Sequence, residues 1–150
     1  MSKKKFEIPA FSETIHPALK AAFGYRFMHA ALKYRKTLLD ILDEYGMVPP
    51  QMAILEILDG SESINQVSLG SELGLDKVSI VRMIDGLQEL EYVKRVQGKE
   101  DKREKIIQIT KEGKETLVAL RKRNVAREKK FLSPLTAAEA ETLKKLIMKL

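Results

Sequence analysis

The sequence predicts a mainly α-helical protein that carries one small β-hairpin, in the order helix, helix, helix–turn–helix, hairpin, helix, helix. Three observations carry this. Apolar residues recur at helical spacing over long stretches. Two short amphipathic segments meet at a glycine, Gly74. Two β-like runs, near 92–97 and 105–109, are joined by unbroken charge from Lys99 to Lys105.

Residues 1–16 mix Lys, Phe, Pro and Ser without a period and are expected to form an extended arm. Pro17 suits a first helical position, where its missing N–H would have no partner anyway. From Leu19 the apolar residues recur as Phe23, Phe27, Ala30, Ala31, Tyr34, Leu38, Ile41, Leu42 and Tyr45, and Gly46 is a natural stop. This predicts one helix of about 29 residues, roughly 43 Å long. A small domain cannot cover such a helix alone, so it is expected to pack against a second copy. Pro49 and Pro50 open a second helix that closes near Asp59-Gly60.

Leu69 and Leu73 share one face of a short helix, Gly74 breaks it, and Asp76 is placed to cap the next. There, Ile80, Met83, Ile84, Leu87 and Leu90 fall within one arc. Gly70 supplies a small residue where the two helices must approach. After the hairpin, Thr110 caps a long basic helix to about Lys130. Thr136 with Glu139 then forms a capping-box pattern that starts a last helix through Leu150.

At 150 residues, with 44% hydrophobic and 32% charged, the chain reads as a single folded domain. The net charge of +6 makes an acidic partner plausible without naming it. The absence of cysteine excludes disulfides and thiolate metal sites. No apolar run approaches the roughly 20 residues that span a membrane, and a cytoplasmic location is expected. His16 and His29 stand apart, and no Gly-rich phosphate loop, His-Glu-x-x-His or Gly-x-Ser-x-Gly occurs. No enzyme, no cofactor and no metal site is expected.

The helix after Asp76 turns an unusual face away from its core arc. Lys77, Val78, Ser79, Val81 and Arg82 lie there, with acids withheld until Asp85 and Glu89. A helix N-terminus of this kind suits insertion into a major groove. Arg82 can pair with guanine, Ser79 with a base or phosphate, and Val78 or Val81 with a thymine methyl. The rival reading buries the two valines against another helix or a docked protein.

The stretches "MVPPQMAILEIL", "LGSELGLDKVSIVRMIDGLQELEYVKRV" and "EDKREKIIQITKEG" together resemble the MarR family of bacterial transcriptional regulators. The resemblance covers about Met47 to Gly113 by motif. It implies a winged helix–turn–helix over 47–110, with 17–46 and 111–150 as dimerisation helices of a homodimer. Lys77 to Leu90 would be the recognition helix and Val96 to Lys105 the wing, carrying the family's Asp-x-Arg pair as Asp101 and Arg103. The chain departs from the pattern at Val78 and Val81, at Gly86 where an arginine is common, and at Glu91 where a small residue is usual.

In an extended chain, side chains two apart point the same way, so Asp101 can hold Arg103 as a probe for a narrow minor groove. Lys99, Lys102 and Lys105 would meet phosphates, and Arg95, at the wing base, is a further phosphate contact or a brace. Residues 77–105 hold eight basic and six acidic groups, so charge alone would not separate this from a solvated loop. The order of elements and the Asp-x-Arg spacing favour double-stranded DNA as partner. The basic cluster 121–123 is read as a solvated helix face. The resemblance also implies release by a small anionic or phenolic effector, for which Tyr25, Arg26 and His29 are candidates. The reading is therefore a ligand-responsive repressor. The alternative is a winged-helix module that binds protein and no DNA.

Overall fold

The computed structural model describes residues 17–61, 64–98 and 104–150. The expected arm, residues 1–16, and the hairpin tip, 99–103, lie outside the described residues. The described elements run α1 (Pro17–Ala21), α2 (Phe23–Asp43), α3 (Pro49–Asp59), β1 (Ile64–Asn65), α4 (Gln66–Glu72), α5 (Lys77–Glu89), β2 (Val93–Gln97), β3 (Lys105–Ile109), α6 (Lys111–Leu132) and α7 (Ala137–Ile147). The helix–turn–helix is α4–α5, and the hairpin β2–β3 follows it. The strands form an antiparallel sheet in the order β1-β3-β2.

Two expectations are corrected. The first helix is broken at Ala22, whose ψ of 122° is extended, and the main segment, α2, has 21 residues rather than about 29. The apolar residues that suggested continuity, Leu19, Phe23 and Phe27, remain 49%, 78% and 46% exposed, so no packing within the chain holds the helix through the break. Gly24, beside it, lowers helix propensity by about 1 kcal/mol. The last helix ends at Ile147, with Met148 as its C-cap, short of Leu150. The strand β1 was not expected: two residues are too few to show a period.

The core is formed by Leu42, Ile54, Leu55, Leu69, Ile84, Leu87, Val93, Ile107, Leu117 and Leu120, all essentially inaccessible. It joins α2, α3, the helix–turn–helix, the hairpin and α6 around one apolar cluster. Beyond it, α2 and α6 are fastened by Arg127. Its guanidinium lies 3.9 Å from the centroid of the Tyr34 ring and donates to the Tyr34 carbonyl at 2.9 Å. Gly86, a departure from the family pattern, also has its explanation here. A Cβ there would stand 2.6 Å from Gln51 Nε2. Gln51 is buried, donates to the Met83 carbonyl and accepts the Val48 N–H. Glycine makes the space for that amide to join α3 to α5.

The segments entering and leaving the hairpin cross at its base. Thr110 N–H donates to the Tyr92 carbonyl at 3.0 Å, and Thr110 Oγ1 donates to the Glu91 carbonyl at 2.7 Å. The same hydroxyl accepts the Gly113 N–H at 3.0 Å and so caps α6. Gly113 passes so close that a Cβ on it would lie 2.2 Å from the Tyr92 carbonyl oxygen. Glu91 takes φ of +61°, a left-handed conformation unfavourable for a residue with a Cβ. Two outcomes follow for denaturant unfolding. Gly113→Ala is expected to lose about 3 kcal/mol, because backbone is the obstacle and cannot move aside. Glu91→Gly is expected to gain about 0.5–1 kcal/mol, because the strain is relieved and only part of the gain is returned as unfolded-state entropy. An Ala variant as stable as the parent would show that the crossing yields.

Candidate nucleic-acid interface

The N-terminus of α5 is set by its turn and its cap. Gly74 adopts φ of +61°, and Leu75 N–H returns to the Gly70 carbonyl at 2.9 Å. Gly70 is needed at the approach, since a Cβ there would already press on the Leu75 carbonyl and the Ile80 side chain. Asp76 then caps α5 as expected. Its Oδ1 accepts the Val78 and Ser79 N–H groups at 2.9 and 2.8 Å, and its Oδ2 accepts the Ser79 hydroxyl at 2.9 Å.

That geometry sorts the expected contact residues. Lys77, Val78 and Arg82 are exposed, Val78 to 71%. Lys77 and Arg82 make no ion pair among the described residues. Ser79 is half-buried and its hydroxyl proton is already given to Asp76, so its remaining lone pairs can accept from a base N–H but cannot bond a phosphate oxygen. Val81 is half-buried, so less of it than of Val78 is open to a partner. Lys105 is exposed at the start of β3. Lys99, Asp101, Lys102 and Arg103 lie outside the described residues.

Arg95 departs from the phosphate-contact expectation and takes the brace. In the hairpin register it pairs with Ile107 and shares a strand face with buried Val93, so its side chain is sent inward over α5. There it meets Asp85 at 2.6 Å and Gln88 at 2.6 Å, and reaches Gln66 at 3.4 Å. Gln66 and Gln88 were not singled out by sequence, and Asp85 was noted there only as the first acid on the helix face, not as a partner of Arg95. Such a tie needs strand parity and register, which one chain read in isolation does not supply.

The basic cluster 121–123, expected as a solvated helix face, has two of its cations tied within the chain. Arg121 is held by Glu56 and by Asp59 at 2.7 Å, and Arg123 is bidentate on Glu44 at 2.6 and 2.7 Å. These carboxylates hold both guanidinium groups further toward the charged form than usual. Their charge is spent on fastening α6 to α2 and α3. Tyr25, Arg26 and His29 lie within about one turn on α2, with Tyr25 and His29 half-buried and Arg26 exposed.

A core-anchored helix–turn–helix, followed by a hairpin braced against its second helix, defines a winged helix–turn–helix protein. Residues 47–105 match the sequence model of the MarR family. That match spans α3, the helix–turn–helix and the start of the strand that closes the hairpin. It is 21% identical over 140 residues to a putative transcriptional regulatory protein for the hcr operon of Thauera aromatica, covering 93% of this chain and 84% of that protein. Among solved structures it is similar to the transcriptional repressor CouR bound to a 23-mer DNA duplex. There the identity is 25% and the TM-score 0.76, over 92% of this chain and 98% of that one. It is also similar in fold to the PcaV transcriptional regulator of Streptomyces coelicolor in complex with its natural ligand. In that case the identity is 24% and the TM-score 0.69, over 87% of this chain and 92% of that one. Among the described residues, no helix is long and apolar enough to cross a membrane.

The cap of α5 makes an acid-sensitive prediction. The Ser79 N–H and hydroxyl, then the Val78 N–H and the Arg82 charge, hold the Asp76 carboxyl below its ordinary value of 3.8. A depressed acid contributes stability above its unfolded value and loses it as pH falls through its folded value. Acidification below about pH 4 should therefore weaken the parent more than Asp76→Asn, which keeps an acceptor and does not titrate. Melting temperatures followed from about pH 6 to about pH 2 check this. Parallel pH profiles for the two proteins would contradict it.

Proposed function

We propose that the protein is a cytoplasmic repressor that binds double-stranded DNA as a homodimer and acts by binding, not by catalysis. The observation that carries the reading is the capped N-terminus of α5, which turns Lys77, Val78 and Arg82 to solvent with both cations unpaired among the described residues. Arg82 then reads a base pair, Val78 meets a thymine methyl, and Ser79, Val81 and Lys77 line the same groove wall. Lys99, Asp101, Lys102, Arg103 and Lys105 form the wing, in which Arg103 enters the adjacent minor groove. The resemblance to CouR, solved on a DNA duplex, supports this use of the fold.

The second copy is argued from apolar surface. Phe23, Phe27 and Met28 near the start of α2, and Leu143, Leu146 and Ile147 on α7, are left exposed. Exposed large apolar side chains clustered on a helix mark an interface. Pairing through these helices sets two recognition helices about 34 Å apart, matching successive major grooves of a pseudo-palindromic operator. A small anionic or phenolic effector, held by Tyr25, Arg26 and His29 at the base of the same helices, would shift that spacing. Similarity to PcaV, solved with its natural ligand, supports an effector of some kind.

Two variants test the placement. Arg82→Ala is expected to relax discrimination at particular base pairs by about 1–3 kcal/mol. Lys77→Ala is expected to weaken all duplexes alike and lower the salt slope by about 1. Competition binding on duplexes carrying single base-pair changes separates the two. Parent-like binding by both variants would remove α5 from the interface.

A further inference from the structure

Asn65 performs two tasks with one side chain. Its Oδ1 accepts the Ser68 N–H at 2.8 Å and caps α4. Its Nδ2 donates to Glu104 Oε1 at 2.7 Å, joining positions 39 residues apart. Glu104 stands immediately before β3, and its carbonyl accepts the Gly98 N–H at 3.0 Å, which bonds the two sides of the hairpin beyond the paired register. Asn65 itself pairs with Ile106 in the sheet. The outer end of the β3 side is therefore tied to the first helix of the helix–turn–helix. On the β2 side, Arg95 is tied to α5 through Asp85 and Gln88.

We propose that the Asn65–Glu104 hydrogen bond is a positioning latch for DNA binding, fixing the outer end of the wing so that wing and recognition helix meet the duplex as one rigid body. The inference rests on the reading above that this face binds DNA. Two physical arguments support it. The strand β1 pairs no further out than Ile106, so beyond it the hairpin is a two-stranded ribbon, and any freedom it keeps must be lost on binding at the expense of affinity. Glu104 also adds negative charge beside a surface that meets phosphates. Its electrostatic effect opposes binding, so its favourable contribution is geometric. The pair is exposed, and its loss moves global stability little.

A double-mutant cycle isolates the latch. Asn65→Ser keeps a capping oxygen for α4 and removes the donor to Glu104 without changing charge. Glu104→Gln keeps the acceptor and removes the charge. Binding is measured by fluorescence anisotropy on a duplex selected from a random pool by the parent protein, with netropsin as an A·T minor-groove competitor. Asn65→Ser should bind about three- to tenfold more weakly, with an unchanged melting temperature and reduced sensitivity to netropsin. In a Glu104→Ala background the same substitution should have no further effect, while Glu104→Gln should bind at least as tightly as the parent. Parent-like binding by Asn65→Ser, or a loss that persists undiminished in Glu104→Ala, would overturn the latch with DNA binding intact. A parent protein that selects no duplex would overturn the DNA-binding reading itself, and the latch with it.

Discussion

At the base of the wing, Glu91 and Tyr92 pass beneath Thr110 and Gly113, and the backbone is clamped there from both sides. The end of the recognition helix, both strands of the wing and the start of α6 meet within a few residues. The Thr110 side chain donates to one segment and caps another, and Gly113 leaves no room for a Cβ. Few alternatives would satisfy all these groups at once, since backbone N–H and C=O groups withdrawn from water need partners. Glu91 accepts a left-handed conformation as the consequence. The strain sits at the bend that turns the chain from α5 into β2, and the surrounding bonds over-determine it.

From this crossing the rest of the molecule takes its geometry. The orientation of α5 relative to α6 is set there and reinforced by the core, by Gln51 between α3 and α5, and by the ion pairs of Arg121 and Arg123. The body of α2 and the proposed recognition helix thus share one core. A change in how two copies meet would be carried to both recognition helices as a rigid displacement. That coupling of distant surfaces through bistable packing is what ligand-responsive release would require.

Much of the fold was legible because its signals are local. The caps at Asp76, Thr110 and Thr136 are properties of a few neighbouring residues, and the turn at Gly74 and the period of α5 need nothing distant. Features that depend on partners far along the chain were not legible. Arg95 turned inward because of its register against Ile107, and Asn65 found Glu104 across a sheet whose first strand is too short to see. Gly86 looked like a cost to the helix and is the space for Gln51. The single long N-terminal helix was misread for a related reason. Its apolar period describes burial that this chain alone does not provide, and the helix breaks at Ala22 where that burial is missing. Of the expected contact face, Lys77, Val78 and Arg82 were legible as exposed positions, whereas the commitment of the Ser79 hydroxyl to the cap was not.

The central claim is that this frame, in two copies, holds a cationic face against duplex DNA. The most direct test is a fluorescence-anisotropy titration of the purified protein on A·T-rich and random duplexes at several salt concentrations. Two chains per duplex are expected and, with about six phosphates neutralised, a log–log salt slope of about −5. A slope near zero, one chain per duplex, or no binding at low salt would contradict it.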